Sequence, residues 1–478
     1  MIRPLLARLP KSTIRRSRLA LMLMFLATAC GHSAPPARTA AASGEGPAPH
    51  LRATASPARE GDAHDHVDPV PDPLAGAQVS LGGILAYADV HAPVLAVARS
   101  TRSRAEAARV AASPVLPANP ELTLAVGPRF ARAGTGVDLD VSLQQQVEIA
   151  GERGLRLEAA SRKAELTDAE IEQIRWFVHC DVHAAFHRAL VDQERAQLAE
   201  RVTIFQEGVL RVVERQIAAG ETPALALRLA QAEVAQARQL LVAARQTFWV
   251  ARLRLAQLAG WPVASPPAPE GAVDTPRQPE SREQLLSVAR ERLPGLRESA
   301  ARIREAEARA TAADRESWAR PSIGVQYRRE GNPGAEGPAN VVMGTLGIPL
   351  PTFQRNQAER ASARADVIVA KAELDASLLL LEGQVAEAHS EVVAAAQRAS
   401  AYGSEILPRF EENLTLLQRS FELGEIDILA LSTGRERFLR IQSDALAAQL
   451  DYFVALAGLE RVVGVDLWHD DHHAEQHP

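Results

Sequence analysis

Two hydrophobic periods alternate along this chain of 478 residues, and each is met twice. Period two comes first. Leu122, Leu124 and Val126 share one side of an extended segment. Val137, Leu139, Val141, Leu143, Val147 and Ile149 share one side of the next, opposite Asp138, Asp140, Ser142, Gln144 and Gln146, with Gln145 interrupting the apolar face. Strict alternation predicts strands with one apolar and one polar face. A third strand is marked by Ile323, Val325 and Tyr327, and a fourth by Val342, Leu346, Ile348 and Leu350.

The second period is the heptad. Leu227, Val234, Leu241, Phe248 and Leu255 stand seven apart, shadowed three residues on by Ala230, Ala237, Ala244, Ala251 and Leu258. Displaced by 204 residues, Leu431, Phe438, Ala445, Tyr452 and Leu459 repeat the series, shadowed by Gly434, Ile441, Ala448, Ala455 and Val462. Both runs follow a similar hexapeptide, Gly220 to Leu225 and Gly424 to Leu429, and both stop at a glycine, Gly260 and Gly464. Such spacing predicts coiled-coil packing. A third seam runs through Val367, Leu374, Leu381, Ala388 and Ala395, with Leu378, Val385, Val392 and Ala399 as partners. A repeat this long is far outside solenoid periods, so a domain-sized unit is duplicated.

Helices are predicted from about Ser80 to Ala112, Glu152 to Ala219, Thr222 to Leu258, Ser281 to Trp318, Asn356 to Leu423 and Glu425 to Val463. Each copy therefore reads helix, two strands, very long helix, long helix. The fold class is mainly α with a transmembrane β part. A helix from Glu152 to Ala219, rising about 1.5 Å per residue, reaches on the order of 100 Å, which suits a protein that bridges a distance. Residues 79–260 form the first repeat, 261–280 a Pro-rich linker and 281–464 the second repeat. Aromatic residues make up only 4 % of the chain, which suits helices packed through alanine better than a bulky globular core.

Only helices and closed barrels span a bilayer, because backbone groups must be satisfied internally. No stretch has about 18 uninterrupted apolar residues, so a crossing would use strands. Four strands are too few to close a channel, but several chains contributing four each suffice. The Val/Leu/Ile face then meets lipid, and Asp138, Asp140, Ser142 and Gln144 line the lumen. The other reading is a four-stranded sheet packed on a soluble helical body.

The N-terminus reads as an export signal over residues 1–29. Arg3, Arg8, Lys11, Arg15, Arg16 and Arg18 precede the short apolar run Leu19 to Ala29. Leu26-Ala27-Thr28-Ala29-Cys30 resembles a lipobox, which predicts cleavage before Cys30 and its lipidation; an ordinary signal peptide cut nearby is the alternative. Residues 30–78, rich in Ala, Pro and His, read as a tether. The formal charge of −6 gives no reason to expect nucleic acid. The sequence carries no catalytic signature of the hydrolase, metalloprotease or phosphate-loop type, so neither enzyme activity nor a cofactor is predicted.

Several stretches resemble the TolC-like outer-membrane efflux proteins, and most closely their heavy-metal branch, which serves cobalt–zinc–cadmium and copper–silver exporters. They are Asn119 to Leu122, Gln144 to Arg153, and above all Gly347-Ile348-Pro349-Leu350-Pro351-Thr352-Phe353-Gln354-Arg355-Asn356-Gln357. Gln354 stands where that branch commonly has Asp, and Ala358 where it has Gly. The resemblance covers about Ser80 to Gly464. It implies a homotrimer with a twelve-stranded outer-membrane barrel continued by a periplasmic helical barrel. It also implies a periplasmic adaptor and an inner-membrane pump of the resistance–nodulation–division type as partners.

On that reading the two hairpin turns are periplasmic tips, with Gly220, Thr222, Leu225, Gly424, Ile426 and Leu429 as candidates for adaptor docking. Glu221, Glu422 and Glu425 form a candidate acidic gate, or simply solvated helix ends. The tips differ: Thr222-Pro223-Ala224 corresponds to Ile426-Asp427-Ile428, and alternating adaptor contacts are expected from that asymmetry. His64 and His66, with His469, His472 and His473 in the tail 465–478, supply metal-ligand types on segments that cannot preorganise a site. His179, His183 and His187 share one helix face, as a metal-binding set or an interhelical stripe, with Cys180 pointing elsewhere. Two further readings stand beside the channel: a non-channel periplasmic coiled-coil lipoprotein, acting as adaptor or spacer, and a metal-buffering lipoprotein.

Overall fold

The computed structural model describes residues 77–132, 134–220, 223–273, 275–331, 337–423 and 425–467. The export signal, Cys30, nearly all of the tether with His64 and His66, Glu221, Thr222, Gly424 and the tail with His469, His472 and His473 lie outside the described residues.

In chain order the elements are β1 (Gln78–Val79), α1 (Leu81–His91), α2 (Pro93–Ser100), α3 (Arg102–Ala112), β2 (Glu121–Ala131), β3 (Gly134–Gln146), α4 (Glu152–Ala218), α5 (Ala224–Ala259) and β4 (Ala268–Pro269). Then follow α6 (Arg282–Arg292), α7 (Pro294–Arg315), β5 (Ser322–Glu330), β6 (Ala339–Gly347), α8 (Gln357–Ala401), a π-helical turn at Tyr402–Ile406, α9 (Leu407–Glu422) and α10 (Ile428–Val463).

The four long strands form one antiparallel sheet in the order β2-β3-β5-β6. The strands lie where the alternation predicts, but end sooner. Val147, Ile149, Ile348 and Leu350 fall beyond β3 and β6. The chain there turns toward the helices, and an alternating pattern cannot mark where pairing stops.

Both strand-to-helix junctions have one construction. Gly151 precedes α4 at φ 76° and Asn356 precedes α8 at φ 54°, both left-handed. Glycine and asparagine are the residues that take this conformation most readily. In the first junction the Ala150 N–H donates to Glu152 Oε2 at 2.9 Å; in the second the Arg355 N–H donates to Gln357 Oε1 at 2.6 Å. The Asn356 amide also donates to the Ala313 carbonyl of α7 at 3.2 Å. The Arg355-Asn356-Gln357 motif is thus a built turn.

Three predicted helices are interrupted. The Ser80–Ala112 segment breaks at Ala92–Pro93 and again at Thr101, and the Ser281–Trp318 segment breaks at Leu293–Pro294 and ends at Arg315. Proline disfavours the helical conformation of its predecessor, and Ala92 and Leu293 are accordingly extended, with ψ of 126° and 118°. The third interruption is the π-helical turn before Pro408. By composition Leu81–Ala112 contains a window apolar enough to cross a membrane. It is instead three short helices packed on α4.

Each proline joint receives a terminal glycine. Gly260 closes α5 at φ 76° against the His91 carbonyl, and Gly464 closes α10 at φ 82° with its added Cβ position 2.6 Å from Leu293 Cα. The glycines that end both heptad runs are therefore needed for backbone geometry and for close approach together.

The linker 261–280 is docked. Pro266, Pro267, Ala268 and Pro269 are buried, β4 pairs in parallel with β1, and the buried Arg252 donates to the Pro266 and Pro267 carbonyls. The Tyr452 hydroxyl accepts from the Arg277 N–H at 3.1 Å.

The core is a helical seam. In α10 the whole predicted series Leu431, Phe438, Ala445, Tyr452 and Leu459 is buried. In α8 the seam holds from Leu381 to Ala399, while Val367 and Leu374 are only partly covered and Ile368, Val369, Leu379 and Leu380 are exposed.

Candidate functional site

The register of the sheet resolves its two faces. Leu122, Leu143 and Val325 align in one row, Leu124, Val141, Tyr327 and Val342 in the next, and Ile323 pairs with Leu346. Most of these side chains are more than half exposed: Leu122, Leu124, Val126, Val342 and Leu346 are all between 67 and 70 % accessible. The apolar face is therefore not covered by the chain's own helices, against the reading of a sheet packed on a soluble body. Among the described residues, β2 and β6 each have one strand neighbour, so both edges of the sheet are open.

The opposite face carries the predicted polar set. Asp138, Asp140, Ser142 and Gln144 align with Gly127, Ala125, Thr123 and Glu121 of β2. Asp140, Ser142 and Gln144 also align with Arg328, Gln326 and Gly324 of β5. The aspartates are not bare carboxylates. Asp138 accepts from Arg129 Nε at 2.9 and 3.0 Å and from the Gly331 N–H at 2.9 Å. Asp140 accepts from Gln326 at 2.6 and 2.8 Å and from Arg328 Nε at 2.9 Å. Arg129 also reaches Glu330 at 3.4 Å. These contacts brace β2, β3 and β5 across the polar face. Ser142 is buried beneath them.

Arg129, Gln326, Arg328 and Glu330 escaped the sequence reading. Their period-two placement puts them on a polar face, but only the register says which aspartate each one meets.

The two hairpin turns sit at one end of the helices. Gly220 follows α4 at φ 77° and its N–H donates to the Ile217 carbonyl at 2.9 Å. In the second turn the Glu425 N–H donates to the Ser420 carbonyl at 2.9 Å, a Schellman-type closure of α9. The helices that leave the turns start differently. Asp427 caps α10 by accepting the Ala430 N–H at 2.8 Å, whereas Pro223 precedes α5 without a side-chain cap. Leu225 and Leu429 are exposed at 67 and 62 %, Glu425 is exposed and Ile426 is half-buried. Glu422 is the last residue of α9.

Below the turns the hairpins are tied together. Ser432 donates to Glu233 at 3.1 Å, and the Arg435 guanidinium lies 3.3 Å from the centroid of the Phe205 ring. Burial pushes the Arg435 pKa down to about 10.

The outer membrane efflux protein family matches residues 88–261 and, a second time, 285–465. The chain belongs to that family. Its members are outer-membrane channels, not enzymes.

Among curated proteins, the cobalt-zinc-cadmium resistance protein CzcC of Cupriavidus metallidurans is 25 % identical over 321 residues, covering 66 % of this chain and 75 % of CzcC. The fold is shared with solved channels. A membrane protein from Pseudomonas aeruginosa matches with a TM-score of 0.62 at 17 % identity, over 82 % of this chain and 98 % of its own. The outer membrane channel CmeC of Campylobacter jejuni matches with a TM-score of 0.62 at 11 % identity, over 80 and 85 %. CusC matches with a TM-score of 0.60 at 15 % identity, over 81 and 93 %. The four-stranded sheet and the paired long hairpins are thus the outer-membrane efflux fold, mainly helical with a transmembrane β part.

Proposed function

We propose that three copies of this chain form the outer-membrane channel of a tripartite efflux system and pass heavy-metal cations from the periplasm to the outside. The observation that carries the reading is the sheet: four strands, two open edges, one uncovered apolar face and one braced polar face. An open edge is a template for further pairing, and a barrel abolishes edges. Twelve strands from three chains close the ring, with the Leu/Val/Ile face to lipid and Asp138, Asp140, Ser142 and Gln144 toward the lumen. The exposed apolar residues of α8, such as Leu379 and Leu380, fit a helical barrel that continues it.

The tips at Gly220, Thr222, Leu225, Gly424, Ile426 and Leu429 dock a periplasmic adaptor, which couples the channel to an inner-membrane pump. Glu221, Glu422 and Glu425 surround the mouth. Cys30 carries the lipid anchor. The metal substrate rests on the likeness to CzcC, whose name records cobalt, zinc and cadmium resistance.

Two measurements test this. Purified protein in planar bilayers conducts as a trimer; a monomer that never inserts refutes the channel. Deleting the gene in its host raises sensitivity to cobalt, zinc or cadmium; unchanged metal tolerance with lost tolerance to organic compounds refutes the substrate alone.

A further inference from the structure

The histidine face of α4 is buried against the end of the second repeat. His183 is 2 % exposed, and its Nδ1 lies 2.7 Å from Oε2 of the fully buried Glu460 on α10. The other Glu460 oxygen accepts the Leu467 N–H at 3.0 Å. One turn before His183, His179 Nε2 is a buried nitrogen with no hydrogen-bond partner. It lies 3.7 Å from Asp466 Oδ2, just beyond the glycine that ends α10. Ligand atoms of His179, His183 and Asp466 all lie within 4.8 Å of one another. Trp176 stacks on the His179 ring, centroids 5.0 Å apart and planes 11° from parallel.

We propose that His179, His183 and Asp466 form a binding site for a borderline divalent transition-metal cation of the zinc, cobalt or copper class. Two imidazole nitrogens and one carboxylate oxygen are the donor set such cations take. Tetrahedral bonds of about 2.0–2.2 Å hold ligand atoms roughly 3.4 Å apart, somewhat closer than the trio stands here, so the site closes slightly around an ion. Glu460 serves as the positioning residue. Its Oε2 holds His183 Nδ1 at 2.7 Å, the kind of contact by which a carboxylate orients a metal-ligating histidine. Asp466 is half exposed and leaves the site open to solvent on one side.

The ligands come from distant parts of the chain: α4 belongs to the first repeat, and Asp466 directly follows the helix that ends the second. A bound cation therefore clamps the start of the duplication to its end. The site sits in the wall formed by the helices, and its existence does not depend on which solute the channel carries.

The test is a zinc titration of the purified full-length protein against a chelating indicator. Wild-type protein binds one zinc per chain in its tightest class, and bound cobalt or copper quenches Trp176. His179→Ala and Asp466→Asn each lose that class while retaining the wild-type oligomer and circular dichroism; any weak binding by the tail histidines persists in both. Glu460→Gln weakens the same class by about 10–100-fold. If both ligand variants bind zinc with the stoichiometry and affinity of the wild type, the proposal is wrong. It is equally wrong if quenching is unchanged in His179→Ala.

Discussion

Replacing Leu124 by arginine separates a lipid-facing strand from a solvated one. Leu124 stands in the row with Val141, Tyr327 and Val342, and its neighbour Thr123 stands in the row with Ser142, Gln326 and Met343. The two positions share one strand and one depth, so propensity and main-chain pairing are nearly matched and only the face differs. An arginine on the lipid face of a barrel costs about 2–4 kcal/mol at the midplane and about 0–1 kcal/mol near the interfaces. Leu124 is the fourth residue of an 11-residue strand, so about 2 kcal/mol per chain is expected. That is roughly a 30-fold shift between inserted and uninserted forms. If three chains close one barrel, the penalties add to about 6 kcal/mol. Thr123→Arg places the charge on the polar face near Asp140 and costs little. The assay is the fraction of protein that inserts into liposomes and resists detergent denaturation, compared for both variants with wild type. Equal insertion of the two variants, or a worse defect in Thr123→Arg, refutes the assignment of faces.

Three other outcomes follow from particular contacts. Gly464→Ala forces a Cβ to within 2.6 Å of Leu293 Cα at φ 82°, so a loss of about 1–3 kcal/mol is expected in thermal or denaturant unfolding. Asp314 accepts from Arg360 at 2.7 Å and from Arg364 at 2.9 and 3.1 Å, which holds its carboxyl below the usual range. Its stabilisation is present above the ordinary carboxylate pKa and lost as pH falls through the lowered folded value. Because the pair is largely exposed, Asp314→Asn should cost less than about 1 kcal/mol at neutral pH and nothing below the carboxylate range, read by unfolding curves across pH. Leu225→Asp with Leu429→Asp should leave bilayer conductance intact and abolish both adaptor cross-linking and resistance in cells; intact resistance would count against docking at the tips.

Much of the fold was legible in the sequence because its elements are long and strongly periodic. The α10 heptad is buried at all five predicted positions, since a continuous helix keeps a period over its whole length. The α8 seam was legible only from Leu381 onward. Nearer the sheet, Ala363 and Ala370 are buried in place of Val367 and Leu374, and the contacts of that stretch, Asp366 with Arg309 and Lys371 with Glu307, are with α7. Heptad spacing does not say which neighbour a helix has at each level. The docking of the linker was not legible for a related reason. Its prolines exclude regular structure, but Pro266 and Pro267 still present carbonyls to Arg252, and that contact depends on where α5 ends.

The polar face of the sheet was identified as a face and not as a network. Asp138 and Asp140 were predicted on one side of β3, and they are there. Their partners are 9 residues away in one direction for Arg129 and 188 in the other for Arg328. The histidine face of α4 was likewise legible as a stripe, while its meeting with Glu460, 277 residues on, was not.

The sequence alone determined what is local: the two periods, the doubled order of elements, the turns at Gly220 and Gly464, and the family motif at Arg355-Asn356-Gln357. Each of these depends on backbone conformation or side-chain spacing within a few turns of chain. Only the tertiary structure decided the strand register, the breaks at Pro93 and Pro294 against Gly260 and Gly464, and the joining of α4 to the end of α10. Those depend on distances between segments far apart in sequence, which periodicity does not encode.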